Sequence, residues 1–159
     1  MKAMTFAALA AMVLALTGCG VQAGTEAQQK AAPAVAVEES SKADEEKENA
    51  MKLTIGETLV PVTWEENASV DALRALCPVT VEMSMYGGFE QVGSLGEKLV
   101  REDKQTTTGS GDIVLYSGDQ IVIFYGSNSW AYTRLGHVDL SQKEMQELLG
   151  GGDVSIRLE

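Results

Sequence analysis

The chain is short of histidine, cysteine and basic residues, and each scarcity excludes something. A single His in 159 residues leaves no His-rich zinc site, and no carboxylate pair falls at a diagnostic ligand spacing. No metal or other cofactor is expected. Twelve Lys and Arg stand against 23 Asp and Glu, for a formal net charge of -11, and no segment gathers the basic residues into a patch. A phosphate backbone would be repelled, which argues against a nucleic-acid partner. Anionic head groups would be repelled as well, so attachment to a membrane needs something other than surface charge. The glycine-rich stretches "GSGD" and "GGGD" lack the following Lys-Ser/Thr of a phosphate loop and read as turns. The serines of "GSNSW" have no nucleophile elbow around them.

Long hydrophobic runs are scarce too. The one present, Ala3 to Leu16, carries no charge and follows Lys2. It is too short for a comfortable membrane span, which needs about 20 residues, and it has the form of the apolar region of a secretory signal. It ends Leu16-Thr17-Gly18-Cys19, which looks like a bacterial lipobox. A thiol is needed there to form the thioether to lipid, and a small residue before it lets the peptidase cut. Residues 1–18 are therefore expected to be a lipoprotein signal peptide, and Cys19 the lipid attachment site. Two or more acyl chains at one residue give stable anchoring, where one chain would be marginal. The expected location is the extracytoplasmic side of a bacterial membrane or the periplasm. Cys77 is then left without a disulfide partner, and it reads as a small apolar residue of the interior.

Residues 20–50 have no aromatic residue and no Leu, Ile or Met, and they hold seven acids against three bases. Such a segment buries too little apolar surface to offset its ordering entropy. Residues 19–50 are expected to form a lipidated, disordered tether reaching about 30 Å by random-coil scaling. The texture changes at Met51, where the folded domain, residues 51–159, is expected to begin.

"MKLTIG" and "TLVPVTWEE" alternate around a Gly-Glu turn and predict a hairpin, with Pro61 at an edge or bulge. "NASVDALRAL" puts Val70, Leu73 and Leu76 on one helical face, with Asn67 or Ser69 as N-cap and Pro78 beyond the stop. "VTVEMSMYGG" returns to period two, with Val79, Val81, Met83 and Met85 on one side. Residues 94–110 carry no clear pattern. The β-branched runs 113–116 and 121–125 flank a tight turn at Gly118-Asp119, and 130–138 follows as a third strand. "SQKEMQELL" opens with a capping box from Ser141 to Glu144 and ends at three glycines. "DVSIRLE" closes the chain as a strand.

The order of these elements, above all "GDIVLYSGDQIVIFYG" followed by "WAYTRLGHV", and the helix-then-strand "NASVDALRALCPVTVEM", resembles the bacterial cyclophilin-like domain family over residues 51–158. The resemblance implies a mainly β fold, a closed eight-stranded β-barrel capped by two short helices. It does not fix a function. Prolyl isomerases of this fold carry a Phe-His-Arg stretch that is missing here, so no catalytic residue carries over.

One constellation stands out. Alternation along 130–135 puts Trp130, Tyr132 and Arg134 on one side, and the smaller set Ala131, Thr133 and Leu135 suits a barrel interior. Tyr116 and Tyr125 are expected to border the resulting outer face. Aromatic and Arg clusters are typical binding hot spots, so these five residues are the candidate ligand-binding set. The expected function is a membrane-anchored, non-enzymatic binding module for a peptide or small ligand. The alternative is a prolyl isomerase with a non-standard site, in which Arg134 alone could stand in for the missing arginine.

Overall fold

A computed structural model describes residues 51–159. The expected signal peptide, lipidated Cys19 and tether, residues 1–50, lie outside the described residues. Ten strands and two helices follow in order: β1 Leu53–Ile55, β2 Thr58–Val60, β3 Val62–Trp64, α1 Ala68–Leu76, β4 Val79–Tyr86, β5 Glu90–Ser94, β6 Lys104–Thr107, β7 Asp112–Tyr116, β8 Gln120–Phe124, β9 Ser129–Val138, α2 Gln142–Leu149 and β10 Val154–Leu158.

All but β6 form one antiparallel sheet in the order β2-β1-β10-β4-β5-β8-β7-β9-β3. The two ends of that order, β2 and β3, are consecutive in the chain and separated only by Pro61. Proline has no N–H to give a ladder, so one run breaks into two short strands that pair on opposite edges. The sheet curls into a nearly closed barrel. Closure needs a close approach at Gly136, paired with Trp64, where an added Cβ would lie 2.7 Å from the Thr63 carbonyl oxygen. At the other seam β1 lies beside β10, and Lys52 and Glu159 exchange two backbone hydrogen bonds of 2.8 and 3.0 Å.

The interior follows from period-two alternation. Leu53 and Ile55, Val81 and Met83, Ile113 and Leu115, Ile121 and Ile123, and Ile156 and Leu158 fill the barrel. Both helices add to this core. Asn67 caps α1 by accepting from the backbone of Ser69 and Val70, and α1 buries Val70 and Leu73. Ser141 and Glu144 form the capping box of α2, which buries Met145 and Leu149. Gln91 points inward from β5 and donates to the carbonyls of Leu149 and Gly152, each at 2.7 Å, tying the end of α2 to the barrel wall. Cys77 is half-buried against the core, and the thiol is pushed up first by burial, with Arg74 opposing.

The expected eight strands become ten for local reasons. Pro61 splits one run. The stretch 94–110, which shows no pattern in sequence, contains β6, whose four residues pair with the first half of β9 as a separate ribbon. β5 follows a turn in which Gly87 and Gly88 both take positive φ, 62° and 75°, a conformation that favours glycine.

Candidate functional site

β9 pairs with three strands, β3, β6 and β7. From Thr133 onward it pairs with β7 through a bulge, and over Ser129–Tyr132 it pairs with β6. The ribbon so formed carries Trp130 and Tyr132. The Tyr132 ring meets Tyr116 and Phe124 edge-on, at centroid distances of 6.0 and 5.7 Å. Val114, Val122 and Phe124, on the outer face of the sheet, complete a second apolar cluster with Tyr132.

Against this cluster lies an open cleft of about 430 Å³. Its aromatic wall is Tyr86, Tyr116, Trp130 and Tyr132, and its polar lining is Glu90, Gln120 and Asn128. Trp130 is 58% exposed, whereas Tyr132 is 5% exposed and forms part of the wall. Asn128 donates to the Tyr132 hydroxyl at 3.1 Å and accepts from the backbone of Ser129 at 2.8 Å.

Glu90 is the unexpected member. It pairs across the hairpin with Tyr86 and, on the other side, with Phe124, which places a carboxylate among aromatic rings. It is 5% exposed, and its Oε2 is buried with no hydrogen-bond partner. Burial pushes this carboxyl above the ordinary carboxylate range. The phenols of Tyr132 and Tyr125 are pushed up as well, by burial first and then by the charge of Glu90. No signal in the sequence marks Glu90 as buried: an acid beside a glycine turn reads as solvated. Only the cross-strand register with Tyr86 reveals it.

The candidate residues separate. Tyr116, Trp130 and Tyr132 line one cleft. Tyr125 does not border it: Ile121, Ile123 and Tyr125 face the barrel interior, and Tyr125 is 2% exposed in the main core. Gln120 and Val122 instead take the outward positions. Arg134 lies apart too. Its Nη2 donates to Asp112 Oδ2 at 2.7 Å, and Asp112 also meets His137 Nδ1 at 3.0 Å and accepts from the Gly109 N–H at 2.8 Å. Arg134 lines a second depression of about 370 Å³ beside the start of α1, with Glu65, Asn67 and Glu102. Among the described residues no three His, Cys, Asp or Glu gather closely enough to hold a metal.

A mainly β, nearly closed barrel with two helices added to its core and an aromatic cleft on its outer face is of the cyclophilin-like class. The sequence profile of the Cyclophilin-like family matches residues 53–159, and the chain belongs to that family. McbB, solved in complex with tryptophan, has a similar fold, with a TM-score of 0.51 at 9% sequence identity. The likeness covers 69% of this chain and 44% of that one, so the chain spans less than half the length of McbB. No curated protein sequence matches this chain.

Proposed function

We propose that this cyclophilin-like domain is an extracytoplasmic binding module, held to a membrane by lipid on Cys19 through the 19–50 tether, and that the cleft beside Trp130 receives a peptide or small ligand. The cleft itself carries the reading. Aromatic rings that expose part of their area around a concave, partly polar surface are the usual composition of a small-ligand site. The anchoring half rests on "LTGC" and on the composition break at Met51. No helix among the described residues is long and apolar enough to cross a membrane.

Prolyl isomerisation needs a group that holds the twisted amide more tightly than the planar one. Arg134 is the only nominee, and its guanidinium is engaged by Asp112 away from the aromatic cleft. That favours binding over isomerisation. The test is fluorescence of Trp130 in a Trp64→Phe background, because Trp64 also emits and lies half-buried with its indole donating to the Met51 carbonyl at 2.6 Å. Saturable quenching by members of a peptide and metabolite panel is the expected result. Silence across the panel would overturn the reading.

A further inference from the structure

The cleft holds one charged side chain, Glu90, and it is the one whose isolation is hardest to explain by folding. Burying a carboxylate without a partner is unfavourable, and an apolar residue would suit the same strand position better. No Lys, Arg or His lines the cleft. The remaining lining is made of aromatic rings, two valines (Val92 and Val122) and neutral amides. Ring faces carry negative quadrupole potential, which attracts cations within about 6 Å of the ring centroid. An anion would meet Glu90 and the overall charge of -11, whereas a cation would be drawn in by both. A lone carboxylate is too few ligands for a bound metal ion, which takes six or more oxygens in a calcium site.

We propose that the cleft binds an alkylammonium group, with Glu90 as its counter-ion and the rings of Tyr116, Trp130 and Tyr132 packing around its apolar stem. This rests on the reading of the same cleft as a binding site. The ammonium supplies the counter-charge that the Glu90 carboxylate, whose buried Oε2 has no hydrogen-bond partner, lacks in the cleft, and its methylenes cover the exposed rings of Trp130 and Tyr116. A free amine and a lysine side chain share this chemistry.

The test titrates the full-length chain in mild non-ionic detergent with four probes, following Trp130 and Tyr132 resonances by NMR so that millimolar binding is visible. The probes are 2-phenylethylamine, the blocked tripeptide acetyl-Ala-Lys-Ala-amide, neutral 2-phenylethanol and anionic 3-phenylpropionate. At least one cationic probe is expected to bind ten or more times tighter than the neutral and anionic ones, and which of the two wins tells a free amine from a lysine side chain. Glu90→Gln is expected to erase that preference. Trp130→Ala, at an exposed position that leaves the core untouched, is expected to weaken the cation tenfold even if Glu90→Gln folds poorly. If 2-phenylethanol binds as well as the amines, the cleft is a binding site but the ammonium assignment is wrong. If none of the four moves the cleft resonances, the assignment is overturned; the wider panel then decides the binding-module reading separately.

Discussion

Arg134 donates to Asp112 at 2.7 Å, and this ion pair holds a side chain that lies outside the lining of the Trp130 cleft. The side chain of Asp112 is 9% exposed and that of Arg134 is 45% exposed, so the carboxylate is the more dependent partner. Removing the arginine leaves a buried acid with His137 and the Gly109 amide as its remaining partners.

Catalysis of cis–trans isomerisation in an X-Pro peptide is therefore expected to stay near background, against an uncatalysed barrier of roughly 18–20 kcal/mol. Arg134→Ala is expected to leave that rate unchanged while lowering stability by about 1–2 kcal/mol, a half-exposed charged hydrogen bond. Clear catalysis that the substitution abolishes would overturn the binding-module reading.

Glu90 gives a pH signature with a definite sign. Burial raises its folded value above the ordinary 4.5, so between those two values the folded chain holds a proton that the unfolded chain has released. Stability contributed by Glu90 is then fully present below 4.5 and lost as pH rises through the raised value. Glu90→Gln, always neutral, is expected to melt above the wild type at pH 7.5 by an increment that shrinks on acidification to pH 4. An increment that does not vary with pH would show that the carboxyl titrates as it does in the unfolded chain.

Gln91 holds the end of α2 and the turn after it with two hydrogen bonds of 2.7 Å, a buried one to Leu149 and a part-buried one to Gly152. Gln91→Leu keeps most of the volume and removes both donors, leaving the carbonyls of Leu149 and Gly152 without them. A loss of about 1–3 kcal/mol is expected, read as a lower urea midpoint with an unchanged slope. An unshifted midpoint would mean that α2 does not depend on this tie.

Cys19→Ser is expected to release the protein from membranes and to abolish metabolic labelling by a fatty acid. Limited proteolysis of the wild type should trim the N-terminal segment and leave a resistant fragment starting near Met51. Equal membrane retention of mutant and wild type would refute the lipid anchor, and early loss of strands beyond residue 60 would move the domain boundary.

Local signals in the sequence carry much of the fold. Asn67, the Ser141–Glu144 box, the glycine turn at 118 and the break at Pro61 act within a few residues, so their outcomes are visible without knowing the sheet. Phase was harder to read. The run from Ile121 to Tyr125 is apolar at every position, and with no polar residue to mark the outer side, alternation cannot say which way Tyr125 points. β6 has too few apolar residues to show a period and exists because β9 offers it an edge. Arg134 shares the alternation of Trp130 and Tyr132, yet its destination is set by Asp112, 22 positions away. Glu90 became part of the cleft only through register with Tyr86 and Phe124.

The pairing of Lys52 with Glu159 makes the domain a ring in all but covalent bond. A linker of a few residues between those positions would join neighbours, and new ends could be opened at the exposed turn Gly96-Glu97 without changing which strands lie side by side. Such a circular permutant is expected to fold to the same barrel, since compact domains with adjacent termini tolerate this rearrangement. By the same geometry the whole domain can be set into a surface loop of a host protein, entering and leaving at one point while the cleft keeps its shape.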